Sequence, residues 1–166
     1  RELLSDLQAQ ARLVHGQILA VEKKIAALAA AKAVQAPRGI GALTWLTLGL
    51  EVVDWSRFTH RRQVASYTGL CPGEYSSGER RREGSIDKHG NRRVRHALIE
   101  AVWRLYRWQP DYPPLARLRA VPGSRARRRA VVAVARRLAI DLWRLASGQT
   151  TREKVGLAAT ATPRVA

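Results

Sequence analysis

The sequence of 166 residues contains no methionine, one cysteine, one phenylalanine and only 13 acidic residues. The single cysteine, Cys71, cannot form a disulfide within the chain, and it has no neighbouring cysteines or histidines at zinc-ligand spacing. A disulfide-stapled secreted scaffold and a zinc module are therefore excluded. No run of about 18 uncharged apolar residues is present, so we expect no membrane partner. A reading frame begins with methionine, and this chain opens at Arg1 inside a helical pattern, so we interpret it as a fragment.

Against the few acidic residues stand 30 lysines and arginines, which give a formal net charge of +17 at pH 7. A charge of this size repels itself unless a polyanion is nearby, so nucleic acid is the first partner that we expect. The hydrophobic content of 46% is enough for an ordinary core and excludes disorder throughout the chain.

Apolar residues recur at spacings of three and four along residues 1–36, before Pro37. This pattern predicts a coiled-coil helix over 1–36 that pairs chains into a homo-oligomer, either a dimer or a tetramer. The alternative is an amphipathic helix that packs on its own domain. The seam residues are Leu4, Leu7, Ala11, Val14, Ile18, Val21, Ile25 and Leu28.

The remaining chain predicts an all-α compact domain over 37–148 and, because its composition turns to Thr, Ala, Gly and Pro, a disordered tail over 149–166. Gly39 and Gly41 flank Ile40 in a helix-hairpin-helix-like turn. Backbone N–H groups at such a helix start can bind phosphate, although glycines at helix ends often serve only as caps.

A long glycine-, serine- and arginine-rich loop extends from Gly69 to Gly90 without helical or strand periodicity, so no strand is predicted. Asn91 is the expected N-cap of the next helix. Two core stripes follow in that helix and in the last long one: Val94, Leu98, Ala101, Leu105 and Trp108, then Val131, Val134, Leu138, Leu142 and Leu145. Trp143 falls with the arginines on another side of the last helix.

Two basic clusters stand out, one around the glycine-rich loop and one along the last long helix. Arginine offers a planar fork to phosphate oxygens, so these clusters predict salt-sensitive binding of nucleic acid. The candidate ligands are Arg80, Arg81, Arg82, Lys88, Arg92, Arg93 and Arg95 in the first cluster, and Arg125, Arg128, Arg129 and Arg136 in the second.

A catalytic centre is harder to find in the sequence. Metal-dependent phosphodiester chemistry needs converging carboxylates, and the acidic residues here are scattered, so no metal site is expected within this chain. Ser76 and Ser77 precede Gly78 in the cationic loop, where a hydroxyl could reach a phosphate, although Ser-Gly is also a common turn dipeptide.

Ordered motifs between about Arg38 and Gly148 resemble the C-terminal transposase domain of the DEDD insertion-sequence transposases. That family includes the pilin-gene invertase and the bridge-RNA-guided recombinases. The matching segments are GLCPGEYSSG at 69–78, GSIDKHGNRRVR at 84–95, and AVARRLA at 133–139 followed by Leu142-Trp143.

The resemblance implies that Ser77 is the nucleophile that attacks a DNA phosphodiester and holds the strand covalently. It also implies Mg²⁺ bound by acids of a separate RuvC-like domain, which lies N-terminal to the coiled coil in the family, so no cofactor is expected in this fragment. The implied partners are DNA and a structured guide RNA, and the implied location is the bacterial cytoplasm, in association with the nucleoid. On this interpretation the intact protein is an enzyme and the fragment alone is inactive. The alternative is a non-catalytic all-α nucleic-acid-binding module that dimerises through its first helix.

Overall fold

The computed structural model describes residues 2–30, 35–74 and 83–159. These residues form a long N-terminal helix followed by a compact helical region, so the predicted all-α class is confirmed. No helix in the described ranges is both long enough and apolar enough to cross a bilayer. The helices are α1 (Glu2–Ala30), α2 (Ala42–Val52), α3 (Arg61–Thr68), α4 (Arg92–Trp108), α5 (Leu115–Arg119), α6 (Ser124–Ala146) and α7 (Arg152–Val155), and the strands are β1 (Pro72–Glu74) and β2 (Glu83–Ile86).

Helix α1 carries its apolar seam outside the core. Leu4, Val14 and Ile18 are 65%, 51% and 49% exposed, and only near the end of the helix is Ile25 half-buried. The alternative in which the seam packs along the chain's own domain is therefore wrong for most of α1. Self-association through this seam stays a prediction.

The core lies between α4 and α6, with α2, α3 and α5 packed around them. Helix α4 begins where predicted, because the Asn91 side chain accepts hydrogen bonds from the backbone N–H groups of Arg93 and Val94. The predicted stripes are buried except for Leu145, which is half-buried, and two tryptophans require correction. Trp108 is 48% exposed at the end of α4, whereas Trp143 is 5% exposed and donates its Nε1–H to the Phe58 carbonyl oxygen at 3.2 Å.

The region from Gly69 to Gly90 is not wholly irregular, contrary to the sequence prediction. Strands β1 and β2 pair antiparallel, with Pro72 opposite Ile86 and an irregular register after it. Strands of three and four residues are too short to show a clear period of two, so the local sequence pattern did not indicate them.

The predicted disorder of the tail is wrong for residues 149–159. Helix α7 forms there, and Val155 and Leu157 are 7% and 1% exposed. The Ala158 carbonyl accepts from the Arg38 N–H at 2.8 Å, and its N–H donates to the Gln109 Oε1 at 2.7 Å. Val155 and Leu157 are too isolated in the sequence to form a periodic pattern. Their burial depends on tertiary packing against the rest of the domain. Residues 160–166 lie outside the described residues.

Candidate nucleic-acid interface

Two glycines meet where α3 ends and α4 begins. Gly69 is the left-handed C-cap of α3, with φ +63°, and a β-carbon there would lie 2.5 Å from Arg95 Nη1 and 2.7 Å from the Gly90 nitrogen. A β-carbon on Gly90 would lie inside van der Waals contact of the Gly69 nitrogen and the Tyr67 carbonyl oxygen. Only glycine at both positions allows the backbones to approach this closely. Their contact fixes the end of α3 against the start of α4.

Arg95 also stabilises the glycine junction, through hydrogen bonds to backbone carbonyls. Its Nη1 donates to the carbonyl oxygens of Thr68 at 3.2 Å, Lys88 at 3.3 Å and Gly90 at 3.5 Å. This guanidinium is therefore engaged with backbone carbonyls, and its position indicates support of the junction. Contact between Arg95 and phosphate stays a prediction.

Asn91 links the junction to α2 as well as capping α4. Its Nδ2 donates to Glu51 Oε2 at 2.8 Å and to the Tyr67 hydroxyl at 3.1 Å, and that hydroxyl donates to the Glu51 carbonyl at 2.6 Å. Arg93 Nη1 pairs with Glu51 Oε1 at 3.0 Å. Hydrogen bonds from Asn91 and then Arg93 lower the pKa of Glu51. The charge of Arg93 is thus partly balanced by an acid that the sequence did not single out.

Strands β1 and β2 flank residues 75–82, so Ser77, Arg80, Arg81 and Arg82 lie outside the described residues. At the base of the strand pair, next to the glycine junction, the Asp87 N–H donates to the Cys71 carbonyl at 3.0 Å. Burial raises the pKa of the Cys71 thiol, which favours its neutral form.

Lys88 and Arg92 lie on either side of the junction and are exposed. Neither forms an ion pair with an acidic side chain in the described part of the chain. Lys88 has a φ of +62°, and its backbone is held there by the hydrogen bond from Arg95 to its carbonyl. These two cations are therefore available to a phosphate backbone.

Arg57 adds a third cation that sequence reasoning did not select. Its guanidinium lies 4.7 Å from the centre of the Phe58 ring and 4.4 Å from that of Tyr67. It borders an open depression of about 610 Å³ that also reaches His89 and Gly90. The adjacent Arg57 and Phe58 indicate one possible cation–π contact in the sequence. The second ring, Tyr67, is ten residues away, so its contact with Arg57 could not be predicted.

The second basic cluster occupies the first turns of α6. Arg125, Arg128 and Arg129 are exposed there. Their neighbour Arg127 lies 5.6 Å from the Trp103 ring centre and 5.5 Å from that of Tyr106 on α4. Exposed arginines beside aromatic rings suit nucleic acid, since they offer both charge and stacking.

Arg136 belongs to a different part of the surface. It is half-buried, and its charge acts on the Cys71 thiol at the base of the β1–β2 pair. It lies eight positions after Arg128 in α6, a distance of about 12 Å along the helix axis. Arg136 is therefore placed near Cys71, apart from the arginines in the first turns of α6.

The turn before α2, which was predicted to bind phosphate, packs against residues of α4. Gly39 has a φ of +86°, and a β-carbon there would lie 2.7 Å from the Trp108 Cβ. Its carbonyl accepts from Arg104 Nε at 3.3 Å, and Gly41 is the N-cap of α2. Packing against Trp108 thus explains Gly39, and phosphate binding at Gly39 and Gly41 stays a prediction.

Within the described ranges, no three aspartate, glutamate, histidine or cysteine side chains converge to hold a metal ion. Glu51 is engaged by Asn91 and Arg93, and Asp141 is engaged by Arg137 and Tyr112. These residues do not fit a Mg²⁺ site.

Comparison with known proteins adds an independent observation. The profile of the transposase family IS116/IS110/IS902 matches residues 31–117. A Sinorhizobium fredii protein, y4qE, which is provisionally named a transposase, is 36% identical over 146 residues, covering 72% of this chain and 37% of that protein. The transposase for insertion sequence element IS1111A of Coxiella burnetii is 35% identical over 121 residues, covering 71% of this chain and 33% of its own length. The chain thus spans about a third of the length of these relatives.

Proposed function

The chain belongs to the IS116/IS110/IS902 transposase family, and from this premise we propose that its helical domain binds DNA and supplies the Ser77 hydroxyl for strand cleavage and exchange. The observation that carries the proposal is the glycine junction, which lies close in sequence to the paired strands β1 and β2 and to the exposed cations Lys88 and Arg92. Lys88 and Arg92 are exposed and can neutralise phosphates of a bound strand.

A serine nucleophile suits recombination because the reaction exchanges one phosphate ester for another. The Ser77 Oγ forms a bond to phosphorus, the bond from phosphorus to the departing strand breaks, and the hydroxyl proton is transferred to the departing oxygen. A joining step reverses these changes with a new strand. Arginines stabilise the extra negative charge of the pentavalent state, which is the role proposed for Arg80, Arg81 and Arg82.

Serine is a weak nucleophile at its ordinary pKa and needs activation. We propose that the activating Mg²⁺ site of the family's RuvC-like domain acts together with this domain, and that this chain alone binds DNA without cutting it. The described residues lack a convergent set of metal ligands, so the acids that would hold Mg²⁺ lie outside them in this proposal. A structured guide RNA is a further proposed partner, for which the Arg127–Trp103 surface is suitable, and the proposed location is the bacterial nucleoid.

A non-catalytic module that dimerises through α1 is the second candidate, because the α1 seam is exposed over most of its length. Both candidates predict a homo-oligomer and DNA binding. They differ in whether any residue of the chain becomes covalently attached to DNA.

Covalent attachment can be tested in the full-length protein with its DNA substrate and RNA. We expect Ser77→Ala to abolish the protein–DNA adduct seen on a denaturing gel while binding and thermal stability stay unchanged. Ser76→Ala is the matched control, because it removes the same hydroxyl one residue away, and it should retain the adduct. An adduct that persists in Ser77→Ala, or disappears only in Ser76→Ala, would refute the assignment of Ser77.

Binding by this chain alone can be measured by fluorescence anisotropy with a labelled DNA duplex. We expect nonspecific affinity of roughly 1–100 micromolar at physiological salt and a steep loss between about 50 and 200 mM salt. An affinity that is flat across this range would argue against binding through phosphates.

A further inference from the structure

The depression beside Arg57 has a lining rich in hydrogen-bond donors. Besides Arg57 it is bordered by Phe58, Gln63, Ser66, Tyr67, His89, Gly90 and Asn91, with no carboxylate among them. Two neighbouring acids are already engaged: Glu51 by Asn91 and Arg93 at 2.8 and 3.0 Å, and Asp87 by the His89 N–H at 3.1 Å. The lining therefore favours an anion over a cation.

Arg57 is held in place by stacking while its donors stay available. The guanidinium carbon lies 4.7 Å from the centre of the Phe58 ring and 4.4 Å from that of Tyr67. Within the described ranges no carboxylate lies within ion-pairing distance of it. Asp54, the acid that its charge influences, instead accepts hydrogen bonds from the Ser56 N–H and hydroxyl at 2.8 and 2.5 Å.

Two neutral side chains complete the donor set. Gln63 turns its Oε1 toward Thr59, accepting from the Thr59 N–H at 2.8 Å and from its hydroxyl at 3.2 Å. The Gln63 Nε2 has no acceptor among the described residues. Ser66 is exposed on the same helix, three residues later.

We propose that this depression binds one backbone phosphate of DNA, with the Arg57 guanidinium as anchor and Ser66 Oγ and Gln63 Nε2 as further donors. The proposal rests on the proposed DNA binding by this domain and specifies one of its contacts. A phosphate fits better than a base, because Arg57 already covers the nearby ring faces and Phe58 is only 9% exposed. DNA is favoured because the depression lies close to the strands that flank the proposed nucleophile Ser77. Gly90, at one edge of the depression, contacts Gly69 beside the base of the β1–β2 pair.

The test compares two arginines that differ only in their surroundings. Arg57→Gln removes the proposed anchor, and Arg62→Gln removes an exposed arginine of α3 that does not border the depression. With the same labelled DNA duplex, we expect Arg57→Gln to weaken binding about tenfold and to reduce the slope of log affinity against log salt by about 0.9. Arg62→Gln should change both much less. Equal effects of the two substitutions would overturn the proposal.

A set of duplexes that each carry one uncharged methylphosphonate identifies the contacted phosphate. Wild-type binding should drop at one position in particular, and Arg57→Gln should lose its sensitivity at that position alone. If Arg57→Gln fails to fold by circular dichroism, Ser66→Ala should reduce the sensitivity at that position without abolishing it, because the Arg57 anchor remains. Unchanged sensitivity at every position in the folded variant would overturn the proposal.

The failure of this contact can be distinguished from the failure of the proposed function. A wild-type chain that binds no DNA refutes the proposed function. Salt-sensitive binding that is equally weakened by Arg57→Gln and Arg62→Gln refutes only the Arg57 contact. An effect of Arg57→Gln on an RNA duplex but not on DNA would overturn the choice of DNA.

Discussion

Replacing Gly90 by alanine tests whether the α3–α4 junction depends on close backbone approach. The added β-carbon would meet the Gly69 nitrogen and the Tyr67 carbonyl oxygen and lie 2.6 Å from the Thr68 carbonyl carbon. All three atoms belong to the backbone, so no side chain can rotate away. The two helix ends must separate, which also strains the hydrogen bond from the Asn91 N–H to the Tyr67 carbonyl at 2.7 Å.

Overpacking of this kind costs about 1–3 kcal/mol and the weakened hydrogen bond about 1 kcal/mol more, so we expect a loss of about 2–4 kcal/mol in the free energy of unfolding. For a chain of this size the Tm falls by about 2–4 °C per kcal/mol, which gives a decrease of roughly 4–16 °C. Thermal unfolding followed by circular dichroism measures it directly.

Gly16→Ala is the matched control for this substitution. Gly16 lies within α1, and an added β-carbon would have no heavy atom within 4 Å. Alanine is favoured over glycine in a helix by about 1 kcal/mol, so this variant should lose no stability. If Gly90→Ala melts at the wild-type temperature, the backbones are not as close as the structure has them, and the steric argument is refuted.

Three further predictions concern other parts of the chain. Leu157→Ala should reduce the free energy of unfolding in urea by about 2–5 kcal/mol, since this side chain is buried; an unchanged value would show that the tail is not packed. Burial, aided by the charge of Asp141, raises the pKa of Tyr112. Its phenol therefore favours folding below about pH 10 and loses this contribution as the unfolded chain ionises above that pH, so Tyr112→Phe should flatten the decline in stability measured from about pH 9 to 11. Glutamate at both Val14 and Ile18 should lower the mass measured by light scattering; an unchanged mass would show that the seam does not join chains.

The long helix α1 and the start of α4 could be predicted because the interactions that form them are local. Asn91 caps α4 through bonds to residues two and three positions on, at 2.9 and 3.1 Å. The seam of α1 repeats over 29 residues, so its period is unambiguous. The glycine-rich motif around residues 69–90 could also be recognised in the sequence. The reason for its glycines, which is the close approach of two backbones, could not.

The tertiary structure decided the different surroundings of residues that look alike in the sequence. Arg95 meets three carbonyl oxygens, Arg93 meets Glu51, and Arg57 stacks on two rings, although all three are arginines in a basic region. Trp143 is buried and Trp108 is half exposed, the opposite of what their helix positions predicted.

The sequence by itself determined the basic character of the chain, its long first helix and the motifs that indicate its family, because these depend on composition and on neighbours along the chain. Only the tertiary structure decided that Gly69 and Gly90 touch, that Glu51 balances Arg93, and that Leu157 closes the core. The physical reason is that each of these contacts joins residues separated by 20 or more positions, where no local periodicity reports the partner.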